Sequence, residues 1–126
     1  MKALKQEERS HLLIVDDEPQ LSEMMQLYFQ HHGYAIHVAA NRTEALNCAE
    51  QTQFVAVLTD LTMPDMSGTE LARRLQEQQP GLPVILLSGY DLKDEHLPEN
   101  VVEVLQKPFR NSVLMAVVQR VLKPEE

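Results

Sequence analysis

Tryptophan is absent from this chain, cysteine occurs once and glycine four times. The lone Cys48 has no partner for an internal disulfide, which fits a reducing cytoplasm and not a disulfide-stapled secreted fold. Basic residues are also scarce: 11 Lys plus Arg stand against 19 Asp plus Glu, a net charge of −8. Such a chain lacks the basic footprint that direct nucleic-acid binding needs. No apolar run approaches the roughly 18 residues of a membrane span, so no membrane insertion is expected. The opening run from Met1 to Glu8 has no apolar stretch of the kind that makes a signal peptide.

What is present suffices for one folded domain. A chain of 126 residues that is 44% hydrophobic can bury about two-thirds of its extended surface, a core that needs no disulfide or metal staple. Residues 1–10 read as a polar tail or linker, 11–123 as the domain and 124–126 as a C-terminal tail. Short apolar runs of the kind buried on both faces of a sheet occur at Leu12–Val15, Ala35–Ala39, Phe54–Thr59, Leu82–Leu87 and Val101–Leu105. Glu103 marks the last of these as a sheet edge.

Helical spacing fills the intervals. Leu21, Met24, Met25 and Tyr28 form one stripe, which Gly33 ends. Asn41 is a cap for Arg42, Ala45, Leu46 and Ala49, and Ser67 for Leu71, Ala72 and Leu75. Residues 91–97 allow a short helix before Pro98, and Leu114, Val117, Val118 and Val121 mark a last one, stopped near Pro124. Strand and helix thus alternate five times, which predicts a parallel sheet with helices on both faces and right-handed crossovers. Five units favour an α/β, flavodoxin-like (βα)5 three-layer sandwich with strand order 2-1-3-4-5. Its ligand site would lie beyond the carboxyl ends of strands 1 and 3.

Four strands end in a polar residue of distinct type: Asp16-Asp17, Asp60, Ser88 and, one residue past Gln106, Lys107. In a parallel sheet these ends share one edge. Three carboxylates crowded there repel unless a cation joins them, and an all-oxygen donor set suits Mg²⁺. A metal, an ammonium, a hydroxyl and a carboxylate together form a site for a phosphoryl group. Asp can form an acyl phosphate, and the central Asp60 is the candidate nucleophile.

Asp16-Asp17 after an apolar strand, Asp60-Leu61-Thr62-Met63-Pro64 running to Met66-Ser67-Gly68, Ser88-Gly89 and Lys107-Pro108-Phe109 together resemble the response regulator receiver (CheY-like) domain of two-component phosphorelay signalling, over about residues 11 to 122. The resemblance implies that Asp60 accepts a phosphoryl group from a phosphohistidine on a histidine kinase or phosphotransfer domain. It implies that Asp17, Asp60 and the Thr62 backbone carbonyl ligate Mg²⁺, with Asp16 acting mainly through a bound water. Ser88 would swing toward the phosphoryl group, Lys107 would pair with it, and the Lys107–Pro108 peptide would be cis. Such a domain is a cytoplasmic signalling switch and not an enzyme, although it assists its own phosphorylation and dephosphorylation. The resemblance names no downstream effector.

One position departs from the pattern. Receivers usually carry Tyr or Phe three residues before the lysine, and here that residue is Val104, which puts output through strand 5 in question. The runs Leu86-Leu87-Ser88-Gly89-Tyr90 and Leu105-Gln106-Lys107-Pro108-Phe109 are similar to those of hybrid sensor histidine kinases. Fusion to a sensor kinase, a stand-alone receiver and a weak dimer all stay open. Other classes fit less well. A receiver that binds without phosphorylation would not need the intact acid and lysine set. A haloacid-dehalogenase-type hydrolase needs Asp-x-Asp after strand 1. A flavin carrier needs a hydroxyl- and glycine-rich loop where this chain has Asp17-Glu18-Pro19-Gln20. The five histidines show no metal-ligand spacing with acids or cysteine, and Asp65 reads as a solvated loop acid.

Overall fold

The computed structural model describes residues 9–63, 65–92 and 96–122. Five strands and four helices follow one another as β1 (His11–Val15), α1 (Pro19–His31), β2 (Ala35–Ala39), α2 (Arg42–Gln51), β3 (Ala56–Asp60), α3 (Gly68–Gln78), β4 (Val84–Ser88), β5 (Val101–Gln106) and α4 (Asn111–Leu122). All strand pairs are parallel, in the order β2-β1-β3-β4-β5. This is the flavodoxin-like arrangement expected from the alternation.

Each strand divides its side chains between two apolar layers because successive residues point to opposite faces. Leu13 and Val15 join Val57, Leu71, Leu75, Val84 and Leu86 on the α2/α3 face. Leu12 and Ile14 join Met25, Phe29, Leu58, Ile85, Leu87 and Leu114 on the α1/α4 face. Helix α1 starts at Pro19, whose fixed φ suits the first helical position. It stops before Gly33, which takes a φ of 95° that other residues rarely adopt. Helices α2 and α3 are capped as their sequences predict: Asn41 accepts from the Glu44 N–H and Ser67 from the Glu70 N–H.

The β4–β5 connection departs from the five-unit expectation. The described residues between Gly89 and Asn100 contain no helix. Part of the helix expected in 91–97 falls on residues 93–95, outside the described set, as does Pro64 of the loop after β3. Leu92 and Leu97 nevertheless pack on the α2/α3 layer. Strand β3 also starts later than the apolar run beginning at Phe54. The Phe54 N–H donates to the side chain of Gln79 instead of to a neighbouring strand.

Candidate functional site

The register of β1 against β3 pairs Val15 with Thr59, so the residues that follow, Asp16 and Asp60, leave the sheet side by side. One carboxylate oxygen each from Asp16, Asp17 and Asp60 lies within 4.8 Å of the others. Asp16 is buried, Asp60 half-buried and Asp17 exposed. The Asp16 N–H donates to the Ala39 carbonyl of β2 at 3.0 Å, and its Oδ1 accepts from the Glu18 N–H at 2.8 Å. Among the described residues its buried Oδ2 has no hydrogen-bond partner. Burial pushes the Asp16 carboxyl upward, against the downward pull of the Glu18 N–H and Lys107. A buried carboxylate oxygen without a donor, facing two more carboxylates, is the all-oxygen set that a small hard cation takes. The residues present therefore fit Mg²⁺.

Lys107 crosses from the end of β5 to the same place. Its Nζ lies 3.5 Å from Asp60 Oδ1 and 3.6 Å from both Asp16 Oδ2 and Glu18 Oε1. Burial works to lower the Lys107 pKa, but attraction to Asp16, Asp60 and Glu18 outweighs it and the net direction is up. At an effective dielectric near 20 each such contact is attractive by roughly 4–5 kcal/mol before desolvation, so three together prevail. The amine is therefore a fixed cation. The Lys107 N–H donates to the Ser88 carbonyl at 2.6 Å, tying the end of β5 to that of β4. The Lys107–Pro108 peptide is cis.

Ser88 sits at the end of β4, fully buried, with its hydroxyl engaged by the Tyr90 backbone. It donates to the Tyr90 carbonyl at 2.5 Å and accepts from the Tyr90 N–H at 3.0 Å. Thr62 lies exposed in the loop after β3, two residues beyond Asp60. Asp65 is exposed as expected, yet one of its oxygens accepts from the Arg42 N–H at 3.2 Å.

The loop that carries Thr62 returns against Asp60 through Gly68. The Gly68 N–H donates to the Leu61 carbonyl at 2.6 Å. A Cβ at Gly68 would stand 2.6 Å from the Asp60 carbonyl oxygen and 2.9 Å from Leu86 Cδ2. Only a glycine allows this approach.

Sequence reasoning missed Glu18 as part of this cluster. Its signal was present: it follows Asp17 directly and precedes Pro19, so it caps α1. At the N-cap its backbone N–H serves Asp16 while its side chain reaches Lys107.

Comparison with known proteins agrees with this geometry. Residues 12–119 match the model of the response regulator receiver domain family. The chain is 32% identical over 123 residues to the uncharacterized transcriptional regulatory protein YkoG of Bacillus subtilis, covering 92% of this chain and 52% of that protein. It thus spans about half the length of that relative. The response regulator TrrA of Thermotoga maritima, solved in complex with Mg²⁺-BeF, superposes with a TM-score of 0.82 at 30% identity, covering 90% of this chain and 99% of the other. The chemotaxis response regulator CheY4 of Vibrio cholerae gives a TM-score of 0.80 at 29% identity, with the same coverages of 90% and 99%.

Proposed function

Since the chain belongs to the response regulator receiver family, whose members are phosphoacceptors in two-component signalling, we propose that Asp60 is its phosphoacceptor. The carrying observation is the convergence of Asp16, Asp17 and Asp60 with the Lys107 ammonium 3.5 Å from Asp60. A carboxylate oxygen of Asp60 attacks the phosphorus of a phosphohistidine on a histidine kinase or phosphotransfer domain. The new P–O bond forms as the P–N bond breaks, and the imidazole leaves with its electron pair and is protonated. Lys107 offsets charge on the transferring oxygens, which works best from a fixed, partly desolvated cation.

Asp17, Asp60 and the Thr62 carbonyl would hold Mg²⁺, with Asp16 acting through a water. When bound, the ion supplies neutralisation of the acidic cluster and of the phosphoryl oxygens. Ser88 donates its hydroxyl proton to a phosphoryl oxygen once it leaves Tyr90. Water attack on the phosphorus later breaks its bond to the Asp60 oxygen, releasing inorganic phosphate and returning the carboxylate, with Thr62 exposed two residues away. The receiver occupies residues 11–123, flanked by 1–10 and 124–126, and works in the cytoplasm. Among the described residues no helix is long and apolar enough to cross a membrane.

The test is incubation with a small phosphodonor and Mg²⁺, read by intact mass. One phosphoryl group should be gained, and none by Asp60→Ala. No gain with donor and metal in excess would sink the proposal.

A further inference from the structure

Ser88 and Tyr90 form a closed pair, and its geometry bears on how the state of Asp60 is read. We propose that Tyr90 is the reporting side chain of this receiver, released by Ser88 when Asp60 carries a phosphoryl group. The inference rests on the phosphoacceptor reading above and adds the route by which the signal leaves the site.

A serine hydroxyl has one proton. Here that proton is committed to the Tyr90 carbonyl at 2.5 Å, and the Tyr90 N–H donates back to the same oxygen at 3.0 Å. The hydroxyl cannot donate to Tyr90 and to a phosphoryl oxygen together. Charge-assisted hydrogen bonds are roughly twice as strong as neutral ones, so a phosphoryl oxygen wins the proton. Rotation of the Ser88 side chain about its Cα–Cβ bond carries the oxygen away with its proton, so the carbonyl's donor and the amide's acceptor go in one step. The two bonds holding the turn after β4 are lost together.

The surroundings give Tyr90 somewhere to go. Tyr90 is 56% exposed, a large aromatic residue largely in water. It borders a cavity of about 270 Å³ lined also by Leu61, Met63, Leu92 and Leu97. Leu61 follows Asp60 directly and Met63 stands two residues further on, so the walls of the cavity begin next to the acceptor. Burying the ring there removes apolar surface from water, the favourable direction once the turn is free. Val104 supplies no aromatic on β5, whereas Tyr90 is coupled to Ser88 by its own backbone.

The absence of tryptophan makes the test direct, because Tyr90→Trp carries the only indole. The full chain is compared with Mg²⁺ alone and with Mg²⁺ plus beryllofluoride, and phosphoryl uptake is read separately by intact mass. Tyr90→Trp should take up one phosphoryl group as the parent does. Its emission should shift to the blue, and iodide quenching should fall, on adding beryllofluoride. In Ser88→Ala/Tyr90→Trp the indole should no longer respond. In the unsubstituted protein the Tyr90 amide should exchange faster by between about twofold and tenfold, the factor for one lost hydrogen bond. Uptake with an unchanged indole and amide overturns the relay and leaves the acceptor assignment standing. So does an indole response that persists without Ser88. No uptake by the parent overturns the acceptor assignment and the relay with it.

Discussion

The sheet has two edges, and they are built differently. At one edge, β2 is covered on both faces, by α1 and by α2. Its polar residue His37 is turned inward, with its Nε2 3.1 Å from Nδ1 of His11 and its ring edge-on to Phe54. At the other edge, β5 packs against α4 on one face, and on the other its Val101 and Val104 share a layer with Leu92 and Leu97 of the preceding connection. Val102 is 47% exposed, and the register against β4 skips it, pairing Val84 with Val101 and Ile85 with Glu103. An irregularity of this kind blunts an edge against pairing with other strands. One edge is a closed structural margin, while the other is open and reaches the carboxylate site through Lys107 at its end.

The contrast predicts unequal costs for removing apolar side chains. Leu86, at the centre of fully buried β4, should cost about 2–5 kcal/mol when changed to alanine. Val104→Ala on half-buried β5 should cost about 1 kcal/mol or less, since two methyl groups already partly in water lose little by removal. Urea unfolding measures both. Equal costs would mean that β5 is as tightly enclosed as β4, and the comparison of edges would break.

Gly68→Ala tests the other wall of the open side. The added methyl would meet the Asp60 carbonyl and Leu86 below ordinary contact distance, and overpacking of this kind costs about 1–3 kcal/mol. Because the displaced atom belongs to Asp60, phosphoryl uptake should slow as well. A variant that unfolds more easily but is phosphorylated at the parent rate would separate the packing role of Gly68 from the site.

Much of the site was legible because parallel strands end on one edge. An apolar run that stops at Asp16, Asp60 or Lys107 places that residue without any tertiary information. The helices with capping residues, Asn41 and Ser67, were equally legible, since a cap is a local contact. What was hidden depends on register or reach. His11 and His37 are 26 residues apart and meet only because β1 and β2 pair in parallel. Glu18 joins Lys107 through a side chain that crosses the top of the sheet. The turn of the Ser88 hydroxyl toward Tyr90 is a rotamer choice, which no spacing rule reveals. Of the helix expected in 91–97, the described residues 91–92 and 96–97 are not helical, and the rest falls outside the described set.

The histidine pair gives the closed edge a pH signature. Burial, and then the neighbouring His11, lower the His37 pKa below 6.5. The unfolded chain therefore binds more protons than the folded one between the depressed value and 6.5. The stability that this neutral imidazole allows is present above about pH 6.5 and is lost as pH falls toward the folded pKa. Unfolding midpoints should decline over that window, and His37→Gln should flatten the decline. An unchanged slope in the variant would place the acid sensitivity elsewhere.

The open edge carries its own ionic pair, and it should do almost nothing. Arg120 Nε and Nη2 reach the two Glu103 oxygens at 3.0 Å each, a two-pronged contact between α4 and β5. Geometry alone would rank it above the contacts of Lys107, which are half an ångström longer or more. Exposure decides otherwise. The Arg120 side chain is 61% exposed, and water and salt screen a pair so placed. Arg120→Gln should leave the unfolding midpoint within error of the parent, and added salt should not separate the two proteins. A clear loss of stability would mean that Glu103 and Arg120 hold α4 to β5, and that the open edge is closed in part by charge.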